Sequence, residues 1–390
     1  MKSLSYTFSG LLLIVWLIST VAIVPVKAEG SPIDFSKFGY GARIDPWGDE
    51  VDAALKAASD AALDWISIDF DWEHHWPDQN STLDLADLNH AMSYAEQHNM
   101  KVLISVTHAP AWARKSQGPD PDLTAGLVAL FSRLYPKSLL AVELFPSANT
   151  IQGWGATPNP EAYTNLLKII SRKLEVTGRP TLLVAAGLEP VFNTSSQNID
   201  DLEYLQGLYE AGAKNYLSVI GIRLPATDNA PLTPPWKADP RVLRHYESVR
   251  SIMLKNQHSN GRIWVTSFYM PVIQPANSEV VTSTGRDADS IGMDDQESWF
   301  NQAVPLMKSQ LYIGAVFYGC MNPSLKRHLK VDETTCLIQS EGSMAKYHPA
   351  YLSFSQMIAL DKASALAPRS KDRRTYQIIN NQALLKSGAP

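Results

Sequence analysis

The chain has 390 residues, of which 34 are basic and 39 acidic, so its formal net charge is −5. Apolar residues make up 45% of the sequence, which is enough to fill a sizeable hydrophobic core. Basic residues are not in excess, and the basic run at 369–374 is interpreted as a solvated surface, so we expect no nucleic-acid partner.

The N-terminus has the pattern of an export signal. Lys2 supplies a positive charge, residues 11–24 are almost wholly apolar, and Ala28 ends a small-residue cleavage site. Because the apolar run is near the lower limit for a bilayer span, an uncleaved membrane anchor is the alternative. We therefore expect residues 1–28 to direct the protein to the cell envelope or the extracellular space, with membrane contact only through this segment.

Eight short runs rich in β-branched and aromatic residues alternate with longer segments that have apolar residues at helical spacing. The runs are 38–43, 65–70, 101–106, 139–145, 182–187, 217–223, 262–268 and 312–318. Strands that alternate regularly with helices favour a parallel barrel over a doubly wound sheet. The sequence predicts an α/β protein with one (β/α)8 TIM barrel over residues 29–360, followed by a polar C-terminal extension over 361–390.

Polar side chains stand at the predicted carboxyl ends of the strands, where a barrel of this kind places its functional residues. Asp69 and Asp71 lie at the end of the second strand and share one side of the chain, and Glu189 follows the fifth strand. An aspartate pair at a barrel mouth binds a cation or a ligand hydroxyl. Alternatively, each aspartate caps the following helix or pairs with a nearby arginine.

Several strand ends resemble those of the retaining glycoside hydrolases of clan A. Residues 65–72 read Trp-Ile-Ser-Ile-Asp-Phe-Asp-Trp, similar to the second-strand pattern Trp-Val-Arg-x-Asp-Phe-x-Trp of that family. Residues 109–113 resemble its third-strand pattern Thr-Pro-x-Trp-Ala, and 142–149 and 263–268 resemble its two catalytic strand ends. The resemblance covers about 38–357, and it implies a TIM barrel with a polysaccharide or oligosaccharide ligand.

The positions that carry the chemistry of that family are substituted. The acid/base glutamate is replaced by Ser147 and the nucleophilic glutamate by Ser267. The family's second-strand arginine is Ser67, the asparagine before the acid/base is Pro146, and the sixth-strand histidine is Arg223. Retaining hydrolysis needs two carboxyl groups about 5–5.5 Å apart, and an unassisted serine hydroxyl replaces neither of them. The resemblance with these departures predicts a catalytically inactive homologue.

Three hypotheses follow for the function. The first is an inactive homologue that binds carbohydrate or a partner protein at the barrel mouth. The second is an active hydrolase with relocated carboxylates, Glu189 with Asp69 or Asp71. In that case Glu143 is expected to remain a buried, hydrogen-bonded partner, like the family's outer glutamate on the fourth strand. The third is a structural envelope protein without a ligand. The residues expected to line a binding site are Trp72, Trp112, Asn149, Trp154, Arg223, Tyr269 and Tyr318.

The only two cysteines, Cys320 and Cys336, fit a disulfide bond in an exported protein. Two buried thiols are the alternative, because the spacing alone fixes no geometry. No cluster of histidines accompanies them, so the sequence predicts no metal site and no cofactor.

Overall fold

The computed structural model describes residues 37–366, except for 49, 180, 192–193, 225–228, 236–240, 270–292, 324–335 and 342–343. The predicted export signal and residues 367–390 of the predicted C-terminal extension lie outside the described residues. Within the described part, no helix is both long enough and apolar enough to cross a membrane.

Eight parallel strands close into a barrel in which each strand pairs with the next in sequence and the last pairs with the first. The strands are β1 (Gly39–Arg43), β2 (Trp65–Asp71), β3 (Lys101–Thr107), β4 (Leu139–Leu144), β5 (Leu182–Leu188), β6 (Val219–Leu224), β7 (Arg262–Phe268) and β8 (Ile313–Tyr318). Every strand begins and ends within two residues of its predicted bounds, which confirms the TIM-barrel prediction.

A main helix follows each strand and packs on the outside of the barrel. The helices are α1 (Val51–Asp60), α2 (Ala86–Gln97), α3 (Pro121–Leu134), α4 (Pro160–Thr177), α5 (Asp201–Glu210), α6 (His245–Lys255), α7 (Met293–Lys308) and α8 (Pro349–Leu366). Local sequence sets several of the ends. Asp120 and Asn159 accept hydrogen bonds from backbone N–H groups in the first turns of α3 and α4, and each precedes a proline. Gly178 ends α4 with a φ of 64°.

An aromatic cluster fills the amino-terminal half of the barrel interior. The ring centroids of Trp65 on β2 and Trp264 on β7 lie 5.0 Å apart, and Phe317 on β8 lies 5.9 Å from Trp264. Smaller side chains complete the cluster: Leu103, Ala141, Val184 and Val219 from β3 to β6, and Ala315 from β8. The barrel is therefore closed at this end, and a ligand site inside it is confined to the carboxyl ends of the strands.

The aromatic cluster gives a test of the packing. Replacing the 1% exposed Trp264 with alanine should lower the free energy of unfolding by about 3–5 kcal/mol, because the large cavity cannot collapse between strands. The measurement is urea denaturation. The control is Leu311→Ala, whose side chain is 88% exposed and whose effect should stay within about 0.5 kcal/mol. Equal effects of the two substitutions would contradict the described interior.

The last helix continues past the boundary that the sequence predicted at residue 360. Asp361 accepts a hydrogen bond of 3.2 Å from the Tyr40 hydroxyl and pairs with Lys308, and Lys362 Nζ lies 2.9 Å from Asp64 Oδ1. These contacts join α8 to the elements around β1. Residues 361–366, which the sequence analysis assigned to the polar extension, therefore belong to α8.

A disulfide bond joins Cys320 and Cys336, whose Cα atoms lie 4.6 Å apart. Both cysteines are buried, and the chain after the bridge returns to the end of β8. There the backbone N–H of Leu337 donates to the carbonyl of Cys320, and that of Ile338 donates to Met321. The bridge therefore ties residues that follow β8 to the strand itself.

Reduction of this bridge should destabilise the protein. A loop of roughly 15 residues loses about 3 kcal/mol of stabilisation when its crosslink is cut, because the unfolded chain regains its freedom. We expect a lower midpoint of thermal unfolding in the presence of a thiol reductant. The double variant Cys320→Ser/Cys336→Ser is the control, since its midpoint should not respond. Identical midpoints of the wild-type protein with and without reductant would argue against the bridge.

Candidate functional site

Glu143 lies inside the barrel, two residues further along β4 than the aromatic cluster. It is 1% exposed, and its Oε2 accepts a 2.6 Å hydrogen bond from the Ser105 hydroxyl, which fits the buried, hydrogen-bonded role expected for it. A Cβ atom on Gly187 or Gly221 would lie 2.5 or 2.8 Å from Glu143 Oε1, so only glycine leaves room for the carboxyl group. Burial raises the pKa of Glu143, although the charge of Arg223 favours the ionised form.

Ser147 and Glu189 meet at the carboxyl ends of β4 and β5. The Ser147 hydroxyl donates a 2.6 Å hydrogen bond to Glu189 Oε2. Asn149 holds the backbone of Glu189: its amide donates to the Glu189 carbonyl at 2.9 Å and accepts from the Glu189 N–H at 3.1 Å. The same amide donates to the carbonyl of Ile199. The sequence placed Asn149 among the ligand-binding residues. In the structure it is fully buried, and its amide group joins the two loops.

The backbone at these two strand ends adopts costly conformations. Phe145, Ser147 and Ala186 have φ values of 50°, 61° and 67°, a region that side chains with a Cβ seldom adopt. Such residues cost of the order of 1–3 kcal/mol each and persist only where the surroundings enforce them. Here the buried hydroxyl of Tyr163 donates to the carbonyl of Leu144 at 2.8 Å and accepts from the N–H of Ala186 at 2.6 Å. One side chain thus holds both loops from below.

Both aspartates of β2 are engaged by neighbouring groups. Asp69 Oδ2 lies 3.0 Å from Arg43 Nη1, and Arg43 Nε donates to the carbonyl of Gly319 at 2.6 Å. Asp71 accepts a 3.0 Å hydrogen bond from the backbone N–H of His74 and so caps the short helix Trp72–His75. The structure therefore favours the alternative that the sequence left open, a capping aspartate and an aspartate paired with an arginine.

Asp71 also controls the protonation of His108. Its Oδ2 lies 3.2 Å from His108 Nδ1, although the direction is not that of a full hydrogen bond. The interaction with Asp71 raises the pKa of His108 in the folded protein. The attraction therefore stabilises the fold below the pKa of the unfolded histidine, about 6.5, and is lost as the pH rises through the raised value.

The substitution Asp71→Asn should lower the pKa of His108, because asparagine keeps the helix cap and removes the charge. The measurement is an NMR titration of the histidine ring protons in both proteins. The wild-type protein should exceed the variant in free energy of unfolding at acidic pH, and the difference should shrink at alkaline pH. An unchanged His108 titration would show that the two groups are not coupled.

The positively charged Arg223 lies next to Ser267, which corresponds by resemblance to the nucleophile of the clan A glycoside hydrolases. Ser267 pairs in register with Arg223 across β7 and β6 and is 1% exposed. Ser267 Oγ has no partner with hydrogen-bond geometry in the described part of the chain, but it lies close enough to the Tyr269 phenol to lower its pKa. Burial alone would raise the pKa of Tyr269. Arg43 and Arg223 outweigh burial, and the pKa of the phenol is lowered.

Three of the aromatic residues expected in a sugar-binding trough are buried. Trp72 and Trp154 are each 1% exposed and Tyr318 is fully buried. The Trp154 indole donates to the carbonyl of Gln117 and packs on Gly118, while Tyr318 packs edge-on against Phe268. These side chains fill the space between the barrel and its loops. In this structure they therefore expose almost none of their ring surface at the mouth.

Other aromatic side chains at the mouth are partly exposed. Trp112 and Tyr269 are half-buried, and Trp112 packs against Trp76 with ring centroids 4.9 Å apart. Trp47, which follows β1, stacks on His75 at 4.3 Å. The sequence analysis did not select Trp47 or Trp76, although their positions just after β1 and β2 were a usable signal. Among the residues described, no group of three histidine, cysteine, aspartate or glutamate side chains is placed to hold a metal ion.

Comparison with known proteins finds structural relatives only. No protein-family model and no curated protein matches the sequence. A family 39 glycoside hydrolase from Bacteroides cellulosilyticus WH2 aligns with a TM-score of 0.59 and 16% identity over 85% of this chain and 65% of that one. Xylanase 10B from Thermotoga maritima aligns at 0.57 and 11% over 85% and 97%, and a glucosidase from Croceicoccus marinus at 0.60 and 11% over 85% and 69%. The chain has the (β/α)8 fold of the clan A glycoside hydrolases. At these identities the likeness concerns the fold, and function has to be argued from the site.

Proposed function

We propose that this protein binds carbohydrate at the mouth of its barrel and does not hydrolyse it. The observation that carries the proposal is the chemistry at the ends of β4 and β7. By the resemblance of their strand ends, Ser147 and Ser267 correspond to the two catalytic glutamates of the clan A glycoside hydrolases, and Ser267 pairs in register with Arg223 on the neighbouring strand. Without a carboxylate at position 267, none of the residues described at the end of β7 is placed to attack the anomeric carbon.

Ligand binding is supported by what the mouth retains. The strained backbone at Phe145, Ser147 and Ala186 is typical of functional sites. A purely structural mouth would not need conformations that cost free energy. Trp112 and Tyr269 leave part of their rings exposed, and aromatic rings stack on sugar faces. The structural relatives include a xylanase and a glucosidase, names that point to carbohydrates. We propose a polysaccharide or oligosaccharide as the ligand, with a protein partner as the alternative, and an exported location.

One observation favours an active hydrolase with relocated groups. Glu189 Oε2 lies 2.6 Å from the Ser147 hydroxyl, so a carboxyl group stands close to the missing acid/base. Hydrolysis needs a second carboxyl group, and the candidates are Asp69 and Asp71. Asp69 is held by Arg43 and Asp71 caps a helix, so neither is poised to attack a sugar. Glu189 could therefore supply one of the two carboxyl groups that hydrolysis requires, and the second has no candidate that is free to react.

The test is a combined screen of the purified protein for hydrolysis and for binding. We expect no turnover of activated aryl glycosides above the uncatalysed rate, since a missing catalytic carboxyl group typically lowers the rate by about 10²–10⁴-fold or more. We expect calorimetric titration against a panel of oligosaccharides to detect binding.

The matched variants are Glu189→Gln at the mouth and Glu161→Gln on the exposed surface of α4. Turnover by the wild-type protein that only Glu189→Gln abolishes would establish relocated catalysis in place of simple binding. If the protein shows no turnover and binds no carbohydrate, the proposal is wrong, and the remaining hypotheses are a structural role or binding of a protein partner.

A further inference from the structure

We infer that the mouth recognises an acidic saccharide, through contact between the guanidinium group of Arg223 and a carboxylate on the sugar. This inference rests on the proposed carbohydrate binding and adds the chemical class of the ligand.

The two arginines at the mouth, Arg43 and Arg223, differ in the contacts of their guanidinium groups. Arg43 has two partners, because its guanidinium group contacts Asp69 and the carbonyl of Gly319. Arg223 is partly buried at the end of β6, and its guanidinium group forms no hydrogen bond or ion pair with the residues that the structure describes. A guanidinium group carries five N–H donors, and leaving it partly buried without acceptors is unfavourable. Arg223 is therefore placed to receive an acceptor from a ligand.

The charged and ionisable groups around Arg223 do not pair with it directly. The groups that act on it are Asp69, Tyr269, Glu143 and Arg43. The charge of Asp69 is already matched by its ion pair with Arg43. Glu143 lies in the dry interior, where burial raises its pKa and favours the neutral acid. Among the residues that the structure describes, Asp69 and Glu143 act on Arg223 electrostatically, but neither forms an ion pair with it.

Tyr269 reports the resulting local potential. A buried phenol normally has a raised pKa, yet the pKa of Tyr269 is lowered because Arg43 and Arg223 favour its anionic form. A negatively charged oxygen is therefore stabilised at this point of the mouth. The buried Ser267 hydroxyl, which lacks a well-formed hydrogen bond within the described residues, is a further donor at the same place.

A sugar carboxylate satisfies these conditions together. Its two oxygens match the planar donor pair of a guanidinium group, which a neutral hydroxyl does not. In the glycoside hydrolases that this fold resembles, a glutamate of the protein supplies a negative charge at the position of Ser267. Here the ligand would supply that charge, so the loss of the nucleophile and the arginine on the neighbouring strand are parts of one change.

The experiment compares ligands that differ only in the oxidation state of C6 of their sugar units. The pairs are a hexamer of β-1,4-linked glucose with its C6-carboxylate counterpart, and a hexamer of β-1,4-linked mannose with the corresponding mannuronate. Calorimetric titration of the purified protein should give about 10- to 100-fold tighter binding for an acidic member than for its neutral partner. Raising the salt concentration should weaken only the acidic ligand.

Arg223→Gln should remove the preference for the acidic ligand, so that the acidic and neutral members of each pair bind with similar affinity. Arg172→Gln, on the exposed surface of α4, makes the same change in net charge and should keep the preference. A second variant, Ser267→Glu, places a carboxylate beside Arg223 and should abolish the preference by a different route. Thermal unfolding shows whether each variant is folded.

The outcomes separate the two proposals. Equal binding of acidic and neutral members overturns the acidic-ligand inference and leaves carbohydrate binding in place. A preference that survives both Arg223→Gln and Ser267→Glu also overturns the inference, because the anion then binds elsewhere. Absence of binding by every member of both pairs counts against both proposals.

Discussion

Filling the interior of a closed barrel is the constraint on which the rest of this structure depends. Eight inward-facing rows of side chains converge on one axis, and Trp65, Trp264 and Phe317 occupy its amino-terminal half. Because that half is apolar and sealed, polar side chains that point inward have to lie nearer the carboxyl ends of the strands. Glu143 is the first of them, and the groups at the mouth are arranged above it.

The charges at the mouth are ordered by partnership. Asp69 has Arg43, Asp71 has a helix N-terminus, and Glu189 has the Ser147 hydroxyl. These contacts hold the strand ends in register with one another, and they also remove the aspartates from chemistry. Arg223 differs from them because its neighbours in the described structure influence it only at a distance. Most charged side chains at the mouth therefore have a partner within the protein, and Arg223 is the one that we propose binds the ligand.

The sequence predicted the barrel well because each strand carries its own local signal. Alternating β-branched runs and capped helices are read within a few residues, as at Asp120 before α3. The site was harder to predict, because its contacts join distant segments. Nothing near Arg43 marks it as the partner of Asp69, 26 residues away. Trp154 is buried because Gly118 leaves space for its ring, and the Asn149 amide is used by the backbone of Glu189. Such packing depends on the assembled fold.

The hydroxyl of Tyr163 has a consequence for how such a protein changes over time. It fixes the loops after β4 and β5 through the carbonyl of Leu144 and the N–H of Ala186, so the shape of the mouth depends on the backbone beneath it. The side chain at position 147 takes no part in that clamp. Shape and reactivity are thus encoded by separate residues, and selection can remove one while preserving the other. A barrel built in this way can change a side chain at its mouth and keep the backbone shape that Tyr163 holds.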